Sequence, residues 1–162
     1  VSKARFETFD KHPRELRDRN VVFLDHQEVE RVTVEKGERR FVAVPIGDKI
    51  WRLEEPRGYS IDRREMGFSL DAILLLRAFA IADDVDAEQA RVHDPQALTL
   101  TIDRIEAPSI TVRVCPVVED HHYVRRDDRE LTYAIRRTTG ISLVQGFDLA
   151  WAAPQRAGDE GL

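Results

Sequence analysis

The chain has 162 residues, of which 42% are hydrophobic and 34% are charged, and its formal net charge is −5. A chain of this length and hydrophobicity can bury a core, which excludes a disordered or collagen-like protein. The acidic balance argues against a nucleic-acid partner, because such proteins carry an excess of basic residues. With the single cysteine Cys115, the chain forms neither an internal disulfide nor a cysteine-rich zinc site.

The first half of the chain predicts strands followed by one helix. Residues 1–20 are polar and highly charged, and we interpret them as a flexible leader. From Val29 hydrophobic and polar residues alternate, which is typical of a strand with one face in water. Asp62 and Glu65 form a capping box at the start of a hydrophobic helical pattern. The predicted elements of this half are strands at 21–24, 29–35, 41–46 and 50–54 and a helix at 62–82.

The second half repeats this plan after an acidic connector at residues 83–94. The order βββα–ββββα suggests an internal duplication within one α+β domain at 21–151. Short turns between strands favour antiparallel sheets with helices packed on one face. The two similar halves are 21–82 and 95–151, and the later elements are strands at 98–103, 110–114, 123–126 and 131–135, a turn at Pro108, a helix at 140–150 with an N-cap at Thr138–Thr139, and a flexible tail at 152–162.

Several short motifs occur together along the chain: Leu16–Arg19, Glu28–Val32, Trp51–Pro56, Asp94–Pro95, Leu98–Ile102, Tyr123–Arg125 and Tyr133–Ile135. Together they resemble the bacterial family called domain of unknown function 4340, over most of residues 16–136. Members are typically envelope proteins with an N-terminal membrane anchor, often encoded beside ABC-transporter components of the gliding-motility type. The resemblance therefore implies an extracytoplasmic accessory role with a transporter-associated protein as partner, and it supplies no catalytic residues.

The sequence is compatible with two cellular locations, an extracytoplasmic one and a cytoplasmic one. The chain begins at Val1 without a Met, so an anchor that precedes it in the family could have been removed. Its longest apolar stretch is interrupted by charged residues and is shorter than a membrane span requires, so we expect no direct span within these residues. A cytoplasmic location is the alternative to the extracytoplasmic one.

Four side chains are the candidate binding residues. Trp51 and Tyr59 could line a ligand groove between the two halves, although such aromatic residues are more often core. Tyr123 and Arg125 belong to an arginine-rich hairpin that could stack on and contact a ligand. Acidic residues in the same turn cancel most of the hairpin's charge, which favours a solvated surface.

The sequence gives less support for a metal site or a catalytic site than for the binding residues above. Asp83, Asp84, Asp86 and Glu88 could supply oxygen ligands to calcium, but they lack the glycine and the distant glutamate of an EF-hand loop. His121 and His122 are consecutive on a predicted strand, so their side chains point to opposite faces and cannot share one ion. No serine lies in a nucleophile elbow and no phosphate-binding loop occurs. We expect no metal, no cofactor and no enzymatic activity.

These observations favour a non-catalytic interaction module that binds another envelope protein through its sheet edges or open faces. One alternative is a domain that binds a small ligand or glycan between the two halves near Trp51. A second alternative is a hydrolase whose catalytic residues come together only in space.

Overall fold

The computed structural model describes residues 18–47, 50–55, 59–60, 65–152 and 155–156. Most of the predicted leader and tail lie outside these residues, as does the predicted helix cap at Asp62. The described elements are ten strands, two α-helices and a 3₁₀ turn: β1 (Val29–Lys36), β2 (Arg39–Gly47), β3 (Ile50–Glu55), β4 (Tyr59–Ser60), β5 (Ala80–Ile81), β6 (Leu98–Arg104), β7 (Ala107–Val118), β8 (His121–Arg126), β9 (Thr132–Arg136), β10 (Gln155–Arg156), α1 (Glu65–Leu74), α2 (Arg137–Ala152) and the turn His26–Glu28.

An eight-stranded antiparallel sheet joins two meanders edge to edge. In the first meander β2 pairs with β1 and β3, and in the second β6 to β9 pair in sequence. The pairing of β1 with β6 connects them, and β5 pairs with β9 at the far edge. The order across the sheet is therefore β3-β2-β1-β6-β7-β8-β9-β5. The predicted α+β class with antiparallel strands is confirmed.

The main core lies between one face of the sheet, here called the core face, and the two helices. Val32 pairs with Ile102 across β1 and β6, and both side chains are fully buried. From α2, Phe147 packs its ring 5.4 Å from the ring of Phe41 on β2. Alternate residues of the same strands point to the opposite side, the outer face. Half-buried threonines of neighbouring strands line part of it: Thr33, Thr99, Thr101 and Thr111.

The α1 helix ends at Leu74, and the prediction that it continues to residue 82 is wrong. The Leu76 carbonyl accepts a hydrogen bond from the Val21 amide at 2.8 Å, and the Phe79 amide donates to the Ala134 carbonyl at 3.0 Å. These contacts use backbone groups that a longer helix would need for its own hydrogen bonds. Pairing with distant segments therefore replaces the last predicted turns of the helix.

The segment before the first meander is buried without forming the predicted strand at 21–24. Val21, Val22 and Leu24 are buried, and the Leu24 amide donates to the Leu74 carbonyl at 2.9 Å. These residues run beside the end of α1, and Asn20 forms an isolated β-bridge with Arg77. The hydrophobic pattern thus predicted burial correctly and strand pairing incorrectly.

The predicted duplication is not confirmed. The two halves build one continuous sheet, and the elements that follow the helices differ between them. After α1 the chain forms β5 in the large sheet, whereas after α2 it forms β10, which pairs with β4 in a separate two-stranded sheet.

Two local boundaries also differ from the prediction. The turn between β6 and β7 lies at Ile105–Glu106, where Glu106 has a φ of 55°, and Pro108 lies inside β7. The helix α2 begins at Arg137, so Thr138 and Thr139 lie in its first turn and do not cap it. None of the helices in the described part of the chain is long and apolar enough to cross a membrane.

Close packing between α2 and β8 depends on a glycine. A Cβ built at Gly140 would lie 2.1 Å from Cδ2 of His122 and 2.6 Å from its Nε2. The His122 side chain is buried, and its Nδ1 lies 2.7 Å from the Cys115 carbonyl oxygen. The helix can approach the imidazole this closely only because residue 140 has no side chain.

We expect Gly140→Ala to lower the free energy of unfolding by about 1–3 kcal/mol, because overpacking forces the imidazole or the helix to shift. Urea denaturation measures the change. Gly47→Ala is the matched control, since its Cβ would lie 3.8 Å from the nearest atom, Cδ1 of Ile50. Equal stability of the G140A and unmodified proteins would contradict this account of the contact.

Candidate functional site

The structure separates the predicted binding residues into two regions. Tyr123 and Arg125 lie two residues apart on β8, so both side chains point to the outer face. Trp51 lies on β3, with four strands between it and β8. At the usual strand spacing this corresponds to about 24 Å. Tyr59 pairs through its backbone with Arg156, and its side chain is outside the described part.

Trp51 is part of a polar contact that joins three elements. Its indole is only 8% exposed, and its Nε1 donates to Oδ1 of Asp71 on α1 at 3.0 Å. His26 in the 3₁₀ turn places its Nε2 2.8 Å from the same oxygen, and its ring lies 5.2 Å from the indole ring. The ring of Trp51 is therefore a buried anchor, and the side chains that share Asp71 hold α1 against the turn and β3.

The acidic connector does not bring its carboxylates together. Asp83, Asp84 and Glu88 are exposed, and Asp86 forms reciprocal hydrogen bonds with Gln89 in a tight turn. Across the described residues, no three His, Cys, Asp or Glu side chains are arranged to hold a metal ion. Asp86 thus has a structural role in the turn, and the calcium hypothesis gains no support.

The connector instead covers one end of the outer face. The Thr132 hydroxyl donates to the Val85 carbonyl at 3.0 Å, and the Ala82 amide donates to the Thr132 carbonyl at 2.8 Å. A second, smaller core forms under it, in which Ala90 and Val92 are buried against β7 and β8. The side chains that pack in or against this core are Val85, Ala87, Ala90, Val92, Cys115 and Tyr123.

Beside this second core lies a groove of about 520 Å³, which we call the arginine groove. It runs between the connector and the turn that joins β8 to β9. Its lining contains four arginines, three acidic residues of the turn and one histidine of the connector: Arg113, Arg125, Arg126, Arg129, Asp127, Asp128, Glu130 and His93.

Two arginines in this groove are direct cross-strand neighbours. Arg113 on β7 pairs in register with Arg125 on β8, and both point to the outer face. Arg113 forms an ion pair with Asp127 at 2.5 Å. Among the residues that the structure describes, Arg125 has no hydrogen-bonded or ion-paired partner. Like charges in directly opposed positions destabilise a sheet, so this pair leaves a local excess of positive charge.

The other arginines of the hairpin hold the fold together. Arg126 is 8% exposed, donates to the Val21 carbonyl at 2.7 Å and pairs with Asp128. Arg129 donates to the Asn20 carbonyl at 3.0 Å and to the Tyr133 hydroxyl at 2.9 Å. Arg126 and Arg129 are therefore engaged within the fold, whereas the Arg125 side chain is not.

The cysteine and the two histidines do not form a reactive group. His122 points into the core face, while His121 is half-buried on the outer face, as the alternation of strand residues predicts. Cys115 is buried, and burial raises the pKa of its thiol to about 11 despite the nearby charges of Arg125 and Arg113. A protonated thiol is a poor nucleophile, so Cys115 acts as a packed apolar residue.

Sequence reasoning identified Arg125 and Tyr123 but missed their neighbours. The alternation of residues 110–114 places Arg113 on the outer face, yet its pairing with Arg125 depends on the register of β7 and β8. The contact of His26 with Asp71 joins residues 45 positions apart and leaves no local signal in the sequence.

The comparisons with known proteins returned no match: no family model, no curated protein and no solved structure is similar to this chain.

We expect Asp71→Ala to lower the free energy of unfolding by about 1–2 kcal/mol, because the buried indole N–H of Trp51 loses its acceptor. Asp71→Asn is the matched control. Both hydrogen bonds end on the single atom Oδ1, so an amide oxygen in its place can accept them. Urea denaturation of both variants checks this, and equal losses for alanine and asparagine would contradict it.

We expect Cys115 in the folded protein to react with iodoacetamide about 100-fold more slowly at pH 8 than an ordinary thiol, because alkylation requires the thiolate. Mass spectrometry of the native and urea-unfolded chain measures both rates. Since the thiol ionises near pH 9 in the unfolded chain and near 11 in the folded one, its contribution to stability decreases as the pH rises through this interval. Equal native and unfolded rates would contradict the assignment.

Proposed function

We propose that the chain is a non-catalytic interaction module whose arginine groove binds an acidic segment of a partner protein. The observation that carries this proposal is the in-register pair of Arg113 and Arg125, of which only Arg113 has a counter-ion in the described part of the chain. The resemblance of the sequence motifs makes a transporter-associated protein of the bacterial envelope the proposed partner.

The guanidinium groups of Arg113 and Arg125 carry like charges at directly opposed positions of the sheet and repel each other. A bound carboxylate would relieve this repulsion, because one anion can accept hydrogen bonds from both side chains. The guanidinium of arginine presents its donors in a planar fork that matches a carboxylate. The groove also removes part of the surrounding water, which strengthens the attraction relative to an open surface.

A protein segment suits the groove better than a nucleic acid. Asp127, Asp128 and Glu130 also line the groove and would repel a run of phosphates. A peptide can place one or two carboxylates at the arginines and uncharged backbone beside the acidic turn. The net charge of −5 also favours a protein segment over a nucleic acid, because it opposes the approach of a long polyanion.

Binding of a fluorescein-labelled hexaglutamate peptide tests the proposal, with hexaglutamine as the uncharged probe. We expect the chain to bind hexaglutamate at low salt, and Arg125→Gln to weaken this binding about fivefold to tenfold, as for the loss of one charge-assisted hydrogen bond. Arg52→Gln is the matched control, because Arg52 is an exposed arginine at the other edge of the sheet.

Three results would overturn the proposal. The first is equal weakening of binding in the R125Q and R52Q variants, which would indicate a general charge effect. The second is equal affinity for hexaglutamine. The third is displacement of the peptide by free glutamate at equal carboxylate concentration, which would identify the groove as a small-ligand site.

A further inference from the structure

A second feature of the outer face is a group of three aromatic rings, which we call the aromatic corner. The rings of His121 and Tyr123 lie 4.7 Å apart at 88°, and those of Phe79 and His121 lie 6.1 Å apart at 84°. Phe79 is 44% exposed, and the other two side chains are half-buried. The rings of Phe79 and Tyr123 are therefore each nearly perpendicular to the ring of His121.

The strand register places two small side chains next to this corner. Tyr123 on β8 pairs with Ala134 on β9, and Ala134 pairs with Ala80 on the edge strand β5. Residues paired in this way point to the same face, so two small alanine side chains lie beside the rings of Tyr123 and Phe79. Ala134 is 4% exposed and is therefore covered by neighbouring groups.

Charges of both signs lie around the corner, and two of them are carboxylates that are unpaired within the described residues. Asp84 and Glu119 are exposed, and the described residues include no counter-ion for either of them. Burial raises the pKa of the Tyr123 hydroxyl, and the charges of Glu119 and Asp84 raise it further, which indicates that both carboxylates act on this ring. Two cations oppose these carboxylates: Arg136, the cross-strand neighbour of His121, and Arg125, two residues from Tyr123 on the same face of β8.

We propose that the aromatic corner binds an organic ammonium group. The face of an aromatic ring attracts a cation, and several rings set at angles can surround an ammonium head group. Glu119 and Asp84 add a long-range attraction for the same charge, and the exposed ring of Phe79 is accessible to it. The site is separate from the arginine groove and does not rest on the function proposed for that groove.

The ammonium group could come from a soluble quaternary amine or from a lysine side chain of a protein. Titration with choline and with N-acetyl-lysine-methylamide, followed by NMR of the aromatic side chains, distinguishes the two sources. The neutral isostere 3,3-dimethyl-1-butanol is the control for apolar contact alone. We expect choline or the lysine amide to shift the Phe79, His121 and Tyr123 signals at millimolar concentration, and the isostere to bind at least about twofold to fivefold more weakly.

Three variants of the full chain test the residues that carry the proposal. Phe79→Ala and Glu119→Gln should each weaken binding of the ammonium probe about twofold to fivefold. Arg136→Gln should strengthen it, because it removes one of the opposing cations. Phe79, Glu119 and Arg136 are exposed, so we expect these variants to fold, and circular dichroism checks this.

Two results would overturn the proposal. One is equal binding of the neutral isostere and the ammonium probes, which would reduce the corner to an apolar patch. The other is unchanged binding in both F79A and E119Q while the folded spectrum is retained, since neither the ring nor the carboxylate would then contribute.

Discussion

The antiparallel pairing of β1 with β6 is the interaction on which the rest of the structure depends. It joins two meanders that are far apart in the sequence, and its core-facing pairs, such as Val32 with Ile102 and Val34 with Leu100, are fully buried. A continuous sheet of eight strands with one covered face supports a larger core than either meander could form alone. Because this seam lies at the centre of the sheet, both α1 and α2 can pack on the same hydrophobic surface.

The seam also determines the path of the chain between the two meanders. The chain leaves the first meander at β3, forms α1 on the core face and adds β5 to the far edge of the sheet. It must then return to β6 at the centre, and the connector does so over the outer face, above Cys115 and Tyr123. The arginine groove and the aromatic corner both lie beside this returning segment. Both candidate sites therefore result from the return of the chain from β5 to β6 across the outer face.

Local patterns in the sequence predicted the elements that depend on neighbouring residues. The strands that begin at Val29 and at Leu98 and the α+β class follow from local chemistry, and they agree with the structure. The predictions are wrong where the backbone pairs with a segment that is distant in the sequence. The apolar residues after Leu74 fit a helical period, yet their backbone pairs with Val21 and with β9. The Arg113–Arg125 pair depends on register, and register is a property of two strands together.

The distribution of charge explains why both proposed sites lie on the outer face. On the core face the buried cation Arg126 is matched by Asp128 and by the Val21 carbonyl, because an unmatched charge there would be costly. On the outer face water tolerates an unmatched charge, and the described residues leave Arg125 unpaired on one side of the connector and Glu119 unpaired on the other. Charges of opposite sign at fixed positions on one face can orient a partner as well as attract it. In the reversed orientation, Arg125 would face a cation of the partner and Glu119 would face an anion, and both contacts are repulsive. A partner with an acidic segment and an ammonium group at matching positions would satisfy both sites in a single orientation.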